Sequence, residues 1–253
     1  VDVAQLATVG AAALAAGIVN AIAGGGSLLS FPVLVALGLP ALTANITNTV
    51  AMCPGYFGAT LAQRRDLVGQ RSRIVKVLPV SAIGGLVGAL LLLTTGQRAF
   101  DVIVPFLLLF AAGLLALQNR IRAKLVARAR GAMRSEMWAV LPVGLAAVYG
   151  GYFGAGMGVI VLAALAIVLD DSLIKLNALK QSVSLVVNVS AAIVFLFSGR
   201  IDWTVTLVMA FASLAGGAIG GAIASRVSAS LLRWSVIVVA VGVAAVYFVK
   251  LLR

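Results

Sequence analysis

Apolar residues run along this chain in stretches of about 17 to 25, each closed by a short polar or glycine-rich interval. That length suits a helix crossing a hydrocarbon layer of about 30 Å at about 1.5 Å per residue, whereas an outer-membrane barrel alternates polar and apolar positions over about ten residues. The pattern predicts clear spans at 41–63, 74–95 and 102–118, and again at 173–197, 204–225 and 234–250. Two further apolar runs do not fit one crossing. Residues 3–39 are interrupted by Gly24-Gly25-Gly26, and residues 138–169 by Gly150-Gly151-Tyr152-Phe153-Gly154-Ala155-Gly156-Met157-Gly158. As continuous helix each run would measure about 50 Å, while the pieces after the breaks, 27–39 and 159–169, measure only about 15 to 20 Å. The chain must break or turn back inside the membrane, and non-helical backbone survives there only against protein or a wet cavity.

Sliding the sequence against itself by 132 residues sets Ala23, Gly24 and Gly26 on Ala155, Gly156 and Gly158. The same register sets Asn45 on Asn177, and Ser81, Gly84, Gly85 and Gly88 on Ser213, Gly216, Gly217 and Gly220. One register held over about 65 residues indicates duplication. The expected organisation is a first transmembrane repeat at 1–118, a basic linker at 119–137 whose Lys/Arg spacing suits an interfacial helix, and a second transmembrane repeat at 138–253. The fold class is an all-α polytopic membrane protein, with two homologous repeats, each a Gly-broken or re-entrant segment plus three spanning helices, eight to ten membrane segments in all. Paired glycine-interrupted segments point to a transporter's central site. Close helix packing through small residues is the other reading of such glycines, and it is preferred for Gly84-Gly85-Gly88 and Gly216-Gly217-Gly220-Gly221.

Composition agrees: 62% of residues are hydrophobic and 10% charged, too few polar side chains to cover a soluble globule. The net charge of +12 would point to nucleic acid in a soluble protein, so its placement matters. Eleven of the 19 Lys and Arg lie in two short loops, Arg64, Arg65, Arg71, Arg73 and Lys76, then Arg120, Arg122, Lys124, Arg128, Arg130 and Arg134. Loops with that bias face the cytoplasm, which puts 64–76 and 119–137 inside a bacterial inner membrane, against membrane lipid and with no nucleic-acid partner. A surface for anionic lipid or RNA is the weaker alternative. Inverted repeats would place 15 Lys/Arg inside and 4 outside, parallel repeats 14 and 5. The tally leaves both open, and the short broken fragments favour inversion. Residues 3–23 end in a signal-peptidase-like Ala21-Ile22-Ala23, but without a basic leader they read as a retained membrane segment, in a chain that begins without Met.

Several chemistries lack their parts. The chain has no His and one Cys, Cys53, and its seven acids (Asp2, Asp66, Asp101, Glu136, Asp170, Asp171, Asp202) lie near segment ends. Intramembrane proteolysis and transition-metal carriage would want histidine or buried carboxylates. The expectation is a protein that is not an enzyme, with no cofactor and no metal site.

The span after each break carries the polar chemistry. With Asn177 at 0°, Lys180, Gln181, Ser184 and Asn188 fall at about −60°, +40°, −20° and +20° on a helix, one stripe about 100° wide. In the same register the first half supplies Asn45, Asn48, Thr49 and Tyr56, with Met52 opposite Ser184. Such stripes also serve as interhelical glue. Lys180 lies about 10 Å into its apolar segment with no carboxylate within a turn, where an ammonium must snorkel or find a partner. A cation among amide and hydroxyl donors, near backbone amides freed at helix ends, makes an anion site.

Gly24-Gly25-Gly26-Ser27-Leu28-Leu29 with Pro32, followed by Leu37-Gly38-Leu39-Pro40 with Ala44 and Thr47, resembles the first-half motif of the sulfite exporter TauE/SafE family of anion permeases. The stretch from Gly150 to Gly158, the polar span after it and Gly199-Arg200-Ile201-Asp202-Trp203 resemble the same family's second repeat, so the likeness covers nearly the whole chain. The resemblance implies an inner-membrane carrier for sulfite, sulfonates such as sulfoacetate, or related small anions, coupled to an ion gradient by proton or Na+. The expected substrate-binding set is Gly24, Gly25, Gly26 and Ser27 with Gly154, Gly156 and Gly158 for backbone amides, Lys180 for charge, and Asn45, Asn48, Thr49, Tyr56, Asn177, Gln181, Ser184 and Asn188 as polar partners. The halves would rock to expose that site alternately. A passive anion channel, or a non-transporting subunit that docks a partner through its basic loop, are the competing readings. Oligomeric state is not legible in the sequence.

Overall fold

A computed structural model describes residues 2–129, 135–224, 226 and 229–251, and every regular element among them is helical. The helices are α1 Val3–Ile22, α2 Ser27–Ala36, α3 Ala41–Ala62, α4 Arg71–Ala129, α5 Val140–Tyr152, α6 Met157–Val168, α7 Leu173–Leu196, α8 Trp203–Ile223 and α9 Ala229–Leu251. Helix α4 bends at Gly96 (φ +72°), which divides it into arms α4a (71–95) and α4b (97–129). Their starts follow ordinary capping. Asp2 and Gln5 form a capping box, Ser172 accepts the Lys175 amide, and Asp202 accepts the Val205 amide. The helices α1, α4, α7 and α8 are long and apolar enough to cross a membrane. Phe57, Leu90, Phe110, Leu207 and Phe211 are exposed on the outside of the bundle, as lipid contact requires and water would penalise.

The two long apolar runs fold back on themselves. Gly26 lies against the backbone of Ala16, ten residues earlier, where a continuous helix would separate them by about 15 Å. In the second hairpin Pro142 and Ala146 of α5 share a groove with Ile167, Ala163 and Ala164 of α6, so the two helices run antiparallel. At 13 and 12 residues, neither α5 nor α6 would reach across about 30 Å of hydrocarbon. The second break is narrower than the sequence indicated. Gly150 and Gly151 stay helical within α5, where Gly151 takes the backbone of Gly85, and only Phe153–Gly156 leave the helix.

The hairpins open at opposite rims. The residues before α5 and after α6 meet α4a at one rim, where Arg73 pairs with Glu136 at 3.2 Å and with Asp171 at 2.6 Å, and Lys76 pairs with Glu136 at 2.7 Å. The Gly38–Pro40 loop after α2 shares a cavity with Gln97 and Asp101, just past the Gly96 bend at the other end of α4a.

Close glycine seams tie the halves together crosswise, in the packing role the sequence assigned to Gly84-Gly85-Gly88 and Gly216-Gly217-Gly220-Gly221. Helix α8 packs on α1 and α3: a β-carbon on Gly55 would stand 2.9 Å from Ser213 O, and one on Gly58 2.7 Å from Leu214 O. Helix α4a packs on α5 and α7: a β-carbon on Gly84 would stand 2.6 Å from Ala147 Cβ, and one on Gly85 2.7 Å from Val187 O. Without side chains these backbones approach closely, which is how membrane helices gain van der Waals contact where lipid offers no hydrophobic driving force. The expected linker at 119–137 begins as a continuation of α4b to Ala129. Residues 130–134, and the side chains of Arg122, Lys124 and Arg128, lie outside the described residues.

Candidate functional site

The two glycine breaks touch. A β-carbon on Gly24 would stand 3.1 Å from the Gly158 carbonyl carbon, and one on Gly158 would stand 3.1 Å from Gly24 Cα and 3.6 Å from Lys180 Cδ. About 15 Å of helix separates Gly26 from the end of α2, and about 15 Å separates Gly158 from the end of α6, so the crossing lies roughly half a membrane deep. Positive φ at Gly24 (+73°), Gly25 (+104°), Gly154 (+76°) and Gly156 (+77°) lets the chain reverse here, a backbone region that L side chains resist.

Around this crossing, donors and acceptors sort by sign. The carbonyls at the end of α1 are covered by side-chain donors. Asn20 O accepts from Lys180 Nζ at 3.0 Å and from Gln181 Nε2 at 3.1 Å. Ala21 O accepts from Gln181 Nε2 at 2.9 Å and from Asn177 Nδ2 at 3.1 Å, and Ala23 O accepts from Gln118 Nε2 at 3.2 Å. At the end of α5, Tyr152 O accepts from Asn45 Nδ2 at 3.0 Å. Of the amides, Gly24 N donates to Val19 O, Gly26 N to Asn20 Oδ1 at 2.6 Å, and Gly154 N to Tyr149 O. The amides of Gly25, Ser27, Ala155, Gly156 and Gly158 have no hydrogen-bond partner among the described residues. The second arms of both hairpins, α2 and α6, begin here, so two helix N-termini bring partial positive charge to one place.

Lys180 does not snorkel. It is 1% exposed, and among the described residues the Asn20 carbonyl is the one hydrogen-bond partner of its ammonium, which forms no ion pair. An ammonium has three protons to donate, and burial without a counter-ion is costly. Gln181 Oε1 and Ser184 Oγ, on the same helix face, are buried without a hydrogen-bond partner among the described residues. The remaining predicted residues divide. Asn48 accepts from Ser30 Oγ at 2.6 Å, which links the α3 stripe to α2, and Tyr56 is buried beside Ser27. Thr49 and Asn188 donate to carbonyls of their own helices, those of Asn45 and Ser184, so neither is held toward the crossing.

The region is closed on both sides. Toward the Gly38 rim, Phe31, Phe100, Tyr152 and Phe153 form an aromatic plug, with Phe31–Phe153 ring centroids 5.5 Å apart and Phe100–Tyr152 6.0 Å apart, both edge-to-face. Toward the other rim, Asn177 Nδ2 also donates to Gln63 Oε1 at 2.9 Å, and beyond that pair lies the ion-pair cluster of Arg73, Lys76, Glu136, Asp171 and Lys175. Hydrogen bonds from Lys76 and Ser72 hold the Glu136 carboxyl below its ordinary range. Burial works against the Asp171 carboxylate, but its bonds to Arg73 and the Ser172 amide, with the charges of Arg73 and Lys175, outweigh burial and lower its pKa.

The sequence that builds this core has relatives among known proteins. Residues 9–247 match the family described as sulfite exporter TauE/SafE. The chain belongs to the TauE/SafE family. It is 28% identical over 234 residues to the probable membrane transporter protein ORF9 of Sinorhizobium sp., covering 92% of this chain and 88% of that one. It is 25% identical to the probable membrane transporter protein YfcA of Escherichia coli, covering 90% and 83%. A probable membrane transporter protein of Haemophilus influenzae is 30% identical over 224 residues, covering 88% and 86%. No solved structure matches. As a TauE/SafE member the chain is a multi-pass inner-membrane transporter and not an enzyme.

Three residues of this TauE/SafE core were missed in the sequence. Asn20 bridges the first turn, its side chain on the Gly26 amide and its carbonyl under Lys180 and Gln181, yet it reads as one tolerated polar residue in an apolar run. Gln63 and Gln118 sit at segment ends, where glutamine is unremarked. The signal available was position: Asn20 stands four residues before Gly24.

Proposed function

We propose that the chain is a secondary carrier that moves small sulfur oxyanions, sulfite or sulfonates such as sulfoacetate, by alternating access at the crossing of Gly24 and Gly158. One observation carries this reading: carbonyls at the crossing are covered by side-chain donors while amides, two helix N-termini and a buried lysine without a counter-ion are left to face a ligand. A cation would meet the reverse of what it needs. An anion would complete the Lys180 ammonium, accept from the amides of Ser27 and Gly158, and take the Ser184 hydroxyl.

The hairpins with their opposite mouths support inverted-topology repeats, 1–118 and 138–253, and favour the orientation with 15 Lys/Arg inside, so that the ion-pair rim and the loops 64–76 and 119–137 are cytoplasmic. The aromatic plug would then be the outer gate and the ion-pair rim the inner one. Two closed gates favour a carrier over a passive channel. Coupling to a proton or Na+ runs through the substrate's own protonation or an ion held by backbone carbonyls.

The test is a binding screen of sulfite, sulfoacetate, taurine, thiosulfate and simple carboxylates on the purified chain and on Lys180→Ala. Loss of a charge-assisted hydrogen bond should weaken the cognate anion by about 10- to 100-fold. Equal binding of every anion by both proteins would remove the assignment of Lys180. Counter-exchange of the bound anion in proteoliposomes separates carrier from channel.

A further inference from the structure

The cavity on the Gly38 rim lies apart from the crossing and has the opposite sign. It encloses about 510 Å³ and is lined by Val35, Gly38, Leu39, Pro40, Ala41, Gln97, Asp101 and Tyr247. Small-molecule sites run from about 300 to 1,000 Å³. Its charged group is Asp101. Gln97 Nε2 donates to Asp101 Oδ1 at 2.7 Å, while Oδ2 has no partner among the described residues. No Lys or Arg among the described residues lines the cavity, in a chain whose formal charge is +12. Arg98, one turn before Asp101, is exposed and does not line it. Helix α2 ends at this cavity, bringing the partial negative charge of a helix C-terminus beside the carboxylate.

From this placement we infer that the cavity is a binding site for a small monovalent cation, an alkali ion or a small organic ammonium. Carboxylate, amide and phenol oxygens suit a hard cation. One carboxylate is too little charge for a dedicated calcium or magnesium site, which gathers several, and the chain has no imidazole for a transition metal. The Tyr247 ring adds a face on which an ammonium can rest. The cavity adjoins the aromatic plug, since Phe100 of the plug precedes Asp101 in the chain. A cation held there cancels the Asp101 charge beside the plug, so an anion entering by that route would meet less repulsion with the site filled than with it empty. The binding claim does not depend on what the central crossing transports.

The experiment measures equilibrium binding of radiolabelled Na+ and of radiolabelled tetramethylammonium, in separate arms, to the purified full-length chain in detergent. One of the two should bind saturably at about one per chain, and the arm that does so distinguishes alkali ion from ammonium. Asp101→Asn should weaken it by about 10- to 100-fold, as removal of a charged partner does. Tyr247→Phe should weaken an alkali ion and spare tetramethylammonium, which uses the ring. Asp101→Glu keeps the charge and should retain binding, which covers the case in which Asp101→Asn fails to fold. Saturable binding of neither probe, or binding undiminished in Asp101→Asn, would overturn the inference.

Discussion

Gly24→Ala tests the geometry of the crossing directly. The residue sits at φ +73°, and an L side chain in the left-handed region costs about 1 to 2 kcal/mol. Its new methyl would also stand 3.1 Å from the Gly158 carbonyl carbon and 3.2 Å from Val159 N, closer than the about 3.5 to 4.0 Å that carbon atoms prefer. The obstructing atoms are backbone and cannot rotate away, so overpacking adds about 1 to 3 kcal/mol. The sum is about 2 to 5 kcal/mol, or a fall in melting temperature of about 4 to 20 °C for a chain of this size. Gly158→Ala makes the same contact from the other side but keeps helical backbone. Its overpacking is offset by the roughly 1 kcal/mol that Ala gains over Gly in a helix, which leaves a net loss of about 0 to 2 kcal/mol. Thermal unfolding in detergent of the two single variants and the double variant measures both effects. Because the methyl groups enter one crevice, the double loss should differ from the sum by about 0.5 kcal/mol or more. If Gly24→Ala melts with the parent protein, neither the left-handed turn nor the contact exists, and the account of the site fails with them.

Other expectations follow from named contacts. Ser184→Ala removes a buried hydroxyl with no partner among the described residues, so stability should change by no more than about 0.5 kcal/mol while anion affinity falls; equal affinity would take Ser184 out of the site. Arg73→Ala severs the links to Glu136 and Asp171, and a cysteine placed at the buried Ala178 should then react faster with a membrane-impermeant maleimide added to the Arg73 side; unchanged labelling would mean the ion pairs do not gate. Both rim carboxyls have lowered folded-state pKa values, so their stabilisation is complete above the ordinary carboxylate range of about 4 and is lost only as pH falls through the lowered values. Melting temperature should therefore fall only below about pH 4, and Arg73→Ala should blunt that acid-side fall.

Much of the architecture is legible because the bilayer imposes length. Helix α3 begins at Ala41 and α7 at Leu173, where the apolar runs begin, and the breaks fall at glycines because only glycine takes the reversals tightly. The stripe from Asn177 to Ser184 shows in the sequence because one face of a long apolar helix carries amides, a hydroxyl and an amine. The partners do not show. Nothing in the periodicity of α1 says that its last carbonyls need capping from α7, 156 to 161 residues away, or that Asn20 would hold the turn. Arg73 registers as a topology signal, and its ion pair with Asp171, 98 residues on, depends on how the second hairpin returns. Gly150 and Gly151 look like part of the break, yet both stay helical, Gly151 packed on Gly85 of α4a and Gly150 on Met157 and Val187. The cavity beside Asp101 is hidden for the same reason, since it is assembled from α2, α4b and α9.

The crosswise glycine seams bear on how the chain is made. Helices α1 and α3 fit against α8, which the ribosome finishes about 160 residues after α3, roughly 10 to 30 s later at ordinary elongation rates. Through that interval the first hairpin and its polar companion stand in lipid with their grooved flanks bare, so the nascent protein must be sheltered by the insertion machinery or by lipid until its second half arrives. A nick within 119–137 would leave two fragments that each lack a wall, and activity should return only when both are synthesised in the same cell.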